Sequence, residues 1–172
     1  MRILLFGNAG SGKTTLSRRL GAHHGMAVLD LDNVVWVSSG TDEFRPDAEI
    51  VADLAAFVRD HSTWVIEGCY GKWMEHLSPH CTEIVFCNPP EESCLANCRA
   101  RPWEPRKFKI KAKQDAWLPA LLDWVRAYYT REGDLSLAAH RRFYDAFPGL
   151  KQETRTNEET ASLVVCSRQD SA

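Results

Sequence analysis

Four consecutive apolar residues, Ile3-Leu4-Leu5-Phe6, run directly into Gly7-Asn8-Ala9-Gly10-Ser11-Gly12-Lys13-Thr14. A strand with one wet face would alternate polar and apolar side chains. An unbroken apolar run instead fits a strand covered on both faces, as in a parallel sheet packed between helices. The glycines that follow can take backbone angles forbidden to other residues. A helical pattern then runs from Thr14 to Leu20, with Leu16 and Leu20 on one face and Arg18 and Arg19 outside.

The alternation of strand and helix continues along the chain. Ala27-Val28-Leu29 reads as a strand ending at Asp30-Leu31-Asp32, Trp64-Val65-Ile66 as one ending at Glu67-Gly68, and Ile84-Val85-Phe86 as one stopping before Pro89-Pro90. Leu150 to Thr156 offers a weaker fifth strand. Pro46 opens a helix whose stripe is Ile50, Leu54, Phe57 and Val58. Glu91 to Arg99, Asp115 to Arg131 (stripe Leu118, Leu121, Leu122, Val125, Tyr129) and Leu135 to Ala146 read as further helices, and Asn157 as the cap of a last one. This order predicts an α/β fold, a three-layer α/β/α sandwich around a five-stranded parallel sheet. Ligands in such sheets bind beyond the carboxyl ends of the strands. The glycine-rich loop, Asp30, Asp32 and Glu67 are therefore expected at one edge.

The 172 residues fit one domain spanning 1–172. A net charge of -2 supplies no global basic field for nucleic acid. The six cysteines (Cys69, Cys81, Cys87, Cys94, Cys98, Cys166) contain no C-x-x-C pair and suggest no disulfide framework. His76, His80 and Cys81, and the pair Cys94 and Cys98, lack zinc-type spacing. The apolar start stops at Gly7, too soon for a secretion signal, and no run approaches a membrane span, so a cytoplasmic protein is expected. Trp117, Trp124 and Tyr128 read as a core stripe on the long helix or, if partly exposed, as a dimer contact.

Gly7 to Thr14 completes the Walker A pattern G-x-x-x-x-G-K-[ST], with a strand before it and a helix after it. Loop amides and a helix N-terminus together cradle phosphate oxygens. The pattern assigns nucleotide binding to Gly7, Asn8, Ala9, Gly10, Ser11, Gly12, Lys13, Thr14 and Thr15. Lys13 would reach the β- and γ-phosphates, and the Thr14 hydroxyl would face Mg²⁺. ATP and Mg²⁺ are the expected cofactors.

With these motifs the chain resembles the small nucleotide-kinase-like branch of P-loop proteins. That branch includes adenylate, shikimate and gluconate kinases and the adenylate-kinase-like proteins labelled FlaR-related or DNA topology modulation, to which the chain is most similar. The resemblance covers most of the chain and is most specific in the first forty residues. It implies strand order 2-3-1-4-5 and a helical lid at about residues 100–113. Asp30-Leu31-Asp32 is similar to the Asp-x-Asp of shikimate kinases, which implies that Asp30 supports Mg²⁺ through water and that Asp32 positions or deprotonates the acceptor. The alternative is that Asp32 only caps a helix. Leu31-Asp32 followed by Trp36 matches a FlaR-like pattern, in which Trp36 either walls an acceptor pocket or belongs to the core. Glu67-Gly68-Cys69-Tyr70 stands where those proteins show Asp-Gly-Asn-Tyr, which implies a role for Glu67 toward Mg²⁺-bound water or the acceptor. A Gly-Gly-Gly run is missing there, which argues against shikimate.

In the lid region the resemblance makes Arg99 and Arg101 catalytic, neutralising charge on the transferring phosphate. Arg106, Lys107, Lys109, Lys111 and Lys113 continue the same basic stretch, whose lysines read as solvated rather than as lid cations, and the sequence does not select which arginine points inward. Thr154-Arg155-Thr156-Asn157 falls where such folds line the adenine, although Arg155 reads better as a surface residue. The expected activity is transfer of the γ-phosphate of ATP to a small-molecule or nucleotide acceptor, by a monomer or homodimer without membrane contact. The alternative is a nucleotide-dependent regulatory or nucleic-acid-associated ATPase acting through the lid lysines, against which the acidic net charge argues. Between the second and third strands only Arg45 and Arg59 carry permanent positive charge, and Arg45, near Asp42 and Glu43, is the candidate holder of an acceptor phosphate. That sparseness favours an uncharged or unusual acceptor.

Overall fold

Burial on both sides puts β1 (Arg2–Gly7) at the middle of the sheet, with Ile3, Leu4, Leu5 and Phe6 all fully buried. It pairs in parallel with β3 (Trp64–Gly68) on one side and β4 (Glu83–Cys87) on the other. β2 (Ala27–Asp30) lies outside β3, and β5 (Leu150–Thr154) outside β4. The five strands are all parallel, in the order β2-β3-β1-β4-β5. The computed structural model describes residues 1–37, 43–105 and 107–163; Asp42, Arg106 and Cys166, named above, lie outside them.

Side chains alternate across a strand, so the unbroken apolar run divides between two cores. Ile3 and Leu5, with Val65 and Val85, pack on Leu16 and Leu20 of α1 (Lys13–His24). Leu4 and Phe6, with Ile66, Ile84 and Phe86, face the opposite layer. That layer draws Ile50 and Leu54 from α3 (Asp47–Asp60), Trp73, Met74 and Leu77 from α4 (Gly71–Leu77), and Phe143 from α7 (Leu137–Ala146). α2 (Asp32–Val35) is one short turn following β2. α5 (Glu91–Arg99) and α6 (Lys111–Ala127) form a third cluster through Cys94, Leu95, Cys98, Leu121 and Val125. Each large side chain buried in this way is worth about 1.5–3 kcal/mol.

Several boundaries differ from the sequence reading. α6 starts at Lys111, so Lys111 and Lys113 belong to its first turn. α4 was absent from that reading, because seven residues barely span two turns and leave little periodicity to detect. The cap of the final helix, α8 (Asn157–Ser162), is Thr156 rather than Asn157. Its hydroxyl accepts from Glu159 N at 3.0 Å, while the Glu159 carboxylate accepts from Arg155 N at 2.6 Å. This is close to a capping box, a pattern written in Thr156-x-x-Glu159. The Trp117–Trp124–Tyr128 stripe is also corrected: Tyr128 is buried, but Trp117 and Trp124 are 44% and 41% exposed. α6 fully buries only Leu121 and Val125, a stripe too narrow to cover both tryptophans. The Trp124 ring instead carries the Arg131 guanidinium, 3.7 Å from its centroid.

Three elements meet at His140, which is fully buried beside Phe6 and Phe86. Its Nε2 lies 2.9 Å from the Cys69 carbonyl and its Nδ1 2.7 Å from the Tyr128 hydroxyl. A carbonyl only accepts, so Nε2 carries the proton and Nδ1 accepts from Tyr128. Burial pushes the ring's pKa from 6.5 down to about 4. As pH falls, the unfolded chain therefore binds this proton before the folded one does. The neutral ring's contribution, about 3 kcal/mol, is complete above pH 6.5 and is lost progressively toward pH 4. Urea unfolding of His140→Gln across that range should show a shallower loss of stability than the native chain. An equal slope in both would remove His140 as the cause.

Candidate functional site

β1 delivers its last residue, Gly7, to the edge where every strand ends. Gly7 has φ 144°, and a Cβ there would sit 2.0 Å from the Cys87 carbonyl oxygen. Gly10 has φ 76°, and its Cβ would meet the Cys94 carbonyl at 2.3 Å and Cys98 Sγ at 2.7 Å. Cys94 and Cys98 are thus the wall against which the loop lies. Asn8 pins the loop to α6: its Nδ2 donates to the Val125 carbonyl at 3.0 Å, and its Oδ1 accepts from Ala9 N at 2.8 Å. Asn97 Nδ2 donates to the Gly10 carbonyl at 2.8 Å. Lys13 Nζ folds back over the loop, donating to the carbonyls of Asn8 at 2.7 Å and Gly7 at 3.1 Å, and approaching Ser11 Oγ at 3.4 Å. The ammonium is therefore nearly buried at the mouth of the cradle. Thr14 is half-buried, and Thr15 faces solvent.

A second cluster lies beside the loop. Asp30 and Glu67 are register partners across β2 and β3. Asp30 Oδ1 accepts from Asp32 N at 2.9 Å. Asp32 accepts from two sides, from the Tyr70 hydroxyl on Oδ1 at 2.7 Å and from Lys107 Nζ on Oδ2 at 2.8 Å. Lys107 also lies 3.8 Å from Asp30 Oδ2. The Tyr70 oxygen in turn accepts from Trp36 Nε1 at 2.7 Å. Trp36 stacks on Phe44, with ring centroids 4.2 Å apart.

These contacts set the charges. Burial, with the neighbouring Asp30 carboxylate, raises Glu67 to about 7, against the opposing pull of Lys13 and the Thr14 hydroxyl. Burial and the Asp32 charge raise Asp30. Burial pushes Asp32 up as well, but Lys107 and the Tyr70 hydroxyl outweigh it and the net direction is down. Glu67 is 3% exposed, and its Oε1 has no hydrogen-bond partner among the described residues. Among the described residues, no group of three His, Cys, Asp or Glu is arranged to hold a metal by itself. The unpartnered Glu67 oxygen near Asp30 and Thr14 nevertheless fits Mg²⁺, which keeps several waters and takes one or two carboxylates plus substrate phosphates.

The structure thus gathers Lys13, Thr14, Asp30, Asp32 and Glu67 at one edge. Arg99 is exposed at the end of α5, and Arg101 pairs with Glu104 at 3.4 Å; among the described residues no ion pair joins either to the loop or to the carboxylates. The cation that does reach the site is Lys107, read from sequence as a solvated lysine. It lies 75 residues from Asp32, and no spacing rule could have linked them. Lys109, Lys111 and Lys113 are exposed, and Lys111 pairs with Asp115 at 2.7 Å. Arg45 lies just before α3 and pairs with it. It holds Asp53 at 2.7 Å, Glu49 at 3.3 Å and the Val34 carbonyl at 2.9 Å, so its charge is committed within the chain. Arg155 is exposed and pairs with Glu153 at 3.2 Å. Tyr70 could have been singled out from Glu67-Gly68-Cys69-Tyr70; Phe44 carried no signal.

Gly10→Ala tests the loop wall. Strain at positive φ and the clash with α5 should together cost about 3 kcal/mol, seen as a lower denaturant midpoint and lost nucleotide binding. A variant with native stability and binding would show that the wall yields.

Residues 3–118 match a protein family described as an AAA domain. No curated protein matches the chain. A solved structure, TT1252 from Thermus thermophilus, aligns with a TM-score of 0.52 and 14% identity over 93% of this chain and 91% of that one. At that identity the likeness concerns the fold alone. Among the described residues, no helix is long and apolar enough to cross a membrane.

Proposed function

The chain belongs to the AAA domain family, and on that footing we propose that it is a Mg²⁺-dependent phosphotransferase moving the γ-phosphate of ATP to a small-molecule or nucleotide acceptor, of the adenylate-kinase-like kind its motifs resemble. The observation that carries the reading is Asp32. It stands beside the phosphate loop with one oxygen set by the Tyr70 hydroxyl and the other facing a cation. A carboxylate held in this way can orient an acceptor hydroxyl and take its proton.

In this reading the loop amides and Lys13 hold the β- and γ-phosphates, and Lys13 exchanges the Asn8 and Gly7 carbonyls for phosphate oxygens. Magnesium, when bound with the nucleotide, supplies positive charge against the developing negative charge. Thr14 would hold it directly, and Asp30 and Glu67 through water. Asp32 orients the acceptor hydroxyl and takes its proton. Lys107 leaves Asp32 for the phosphates, while Arg99 and Arg101 close from the lid and exclude water. Of the lysines on which the nucleic-acid alternative would rest, Lys107 pairs with Asp32 and Lys111 with Asp115, while Lys109 and Lys113 are exposed.

Labelled ATP incubated with nucleosides, nucleotides, sugars and other metabolites tests the proposal. One acceptor should be labelled by the native chain and not by Lys13→Ala; labelling of none above that control would sink it. Asp32→Asn should lower turnover about 10²–10³-fold while ATP affinity stays within about threefold. Native turnover in that variant would remove Asp32 from the chemistry.

A further inference from the structure

Among the described residues, the acceptor side of the site is short of uncommitted cations and walled by aromatic rings. We infer that the acceptor is an uncharged, ring-bearing alcohol, a nucleoside or a cyclic polyol, rather than a phosphorylated or carboxylated compound. The inference deepens the phosphotransferase reading and rests on it.

From Leu31 to Trp73 the chain's lysines and arginines are Arg45, Arg59 and Lys72. Arg45 is held by Asp53 and Glu49, Arg59 by Asp60, and Lys72 by Asp47 with its ammonium over the Trp73 ring. An acceptor phosphate needs a bidentate arginine or several converging cations. Each of these three is already engaged by a carboxylate. Lys107, which reaches the site among the described lid residues, is held by Asp32 and in this reading goes to the ATP phosphates, not to the acceptor. Asp32, the carboxylate that this reading gives to the acceptor, would repel an anion laid against it.

The rings point the other way. Trp36 and Phe44 stack with an interplanar angle of 16°, and Tyr70 meets both edge-on, at 6.4 Å and 6.3 Å. Phe44 is 50% exposed, so about half of its surface stays accessible beside the stack. Trp36 Nε1 donates to the Tyr70 oxygen, and Tyr70 donates to Asp32, so the wall leads straight to that carboxylate. A nucleobase or the C–H face of a sugar-like ring laid on this wall would bring a hydroxyl to Asp32 Oδ2, the atom that Lys107 Nζ now holds at 2.8 Å. In the transfer the hydroxyl oxygen bonds to the γ-phosphorus of ATP, and the bond from that phosphorus to the β,γ-bridging oxygen breaks. ADP leaves with the electron pair, and the hydroxyl proton passes to Asp32.

Calorimetry on the full chain loaded with Mg²⁺ and a non-hydrolysable ATP analogue tests the class. The titrants are adenosine, thymidine, glucose and myo-inositol, each against its monophosphate. At least one neutral compound should bind about tenfold or more tightly than its phosphate, and whether it is a nucleoside or a polyol identifies the source. Phe44→Leu should weaken that binding about tenfold, and Phe44→Tyr should restore it. Equal or tighter binding of the phosphates, no binding of any neutral compound, or unchanged affinity in Phe44→Leu overturns the inference. Mass spectrometry with ATP itself separates the two readings. Transfer to phosphorylated acceptors alone leaves the phosphotransferase and removes the neutral acceptor. A neutral compound that binds but is never phosphorylated does the reverse.

Discussion

Everything at the candidate site depends on β1 being covered on both faces. Ile3 and Leu5 need one helical layer, Leu4 and Phe6 need another, and only a parallel sheet between two layers meets both demands. Once β1 occupies the centre, β3 and β4 must flank it, and their carboxyl ends fall beside Gly7. Phe6 and Phe86 stack at 5.0 Å, and His140 closes over them while holding the Cys69 carbonyl. That contact sets the backbone immediately before Tyr70, the residue that orients Asp32.

The charge pattern of the site follows from its position at the sheet edge. Three carboxylates converge there, and each is partly withdrawn from water. Lys13 and Lys107 are the cations that make this tolerable in the structure described. The two differ in origin. Lys13 is placed by the loop it belongs to, whereas Lys107 arrives from a segment between α5 and α6 and is held by the carboxylates it neutralises.

Much of the site was legible residue by residue. The loop from Gly7 to Thr14, Asp30, Asp32 and Glu67 all lie at strand ends, where apolar runs stop abruptly, and the parallel fold converts that signal into proximity. The pairings of Arg45 and Lys107 were not legible in the sequence, for one common reason. Their partners, Asp53 on α3 in one case and Asp32 after β2 in the other, depend on how distant segments pack, and exposed-looking basic residues carry no mark of the partner they will find. The tryptophans of α6 were misread because a wide apolar stripe in sequence need not be matched by a wide contact.

By itself the sequence determined the strand core, the phosphate loop and the edge of the sheet where chemistry belongs, because buried apolar runs and glycine turns act through local geometry and solvent exclusion. Only the tertiary structure decided which cation faces Asp32, that Arg45 is spoken for, and that Trp36, Phe44 and Tyr70 form one wall. Those are pairings across tens of residues, and their partners are selected by shape and charge only after the layers have closed.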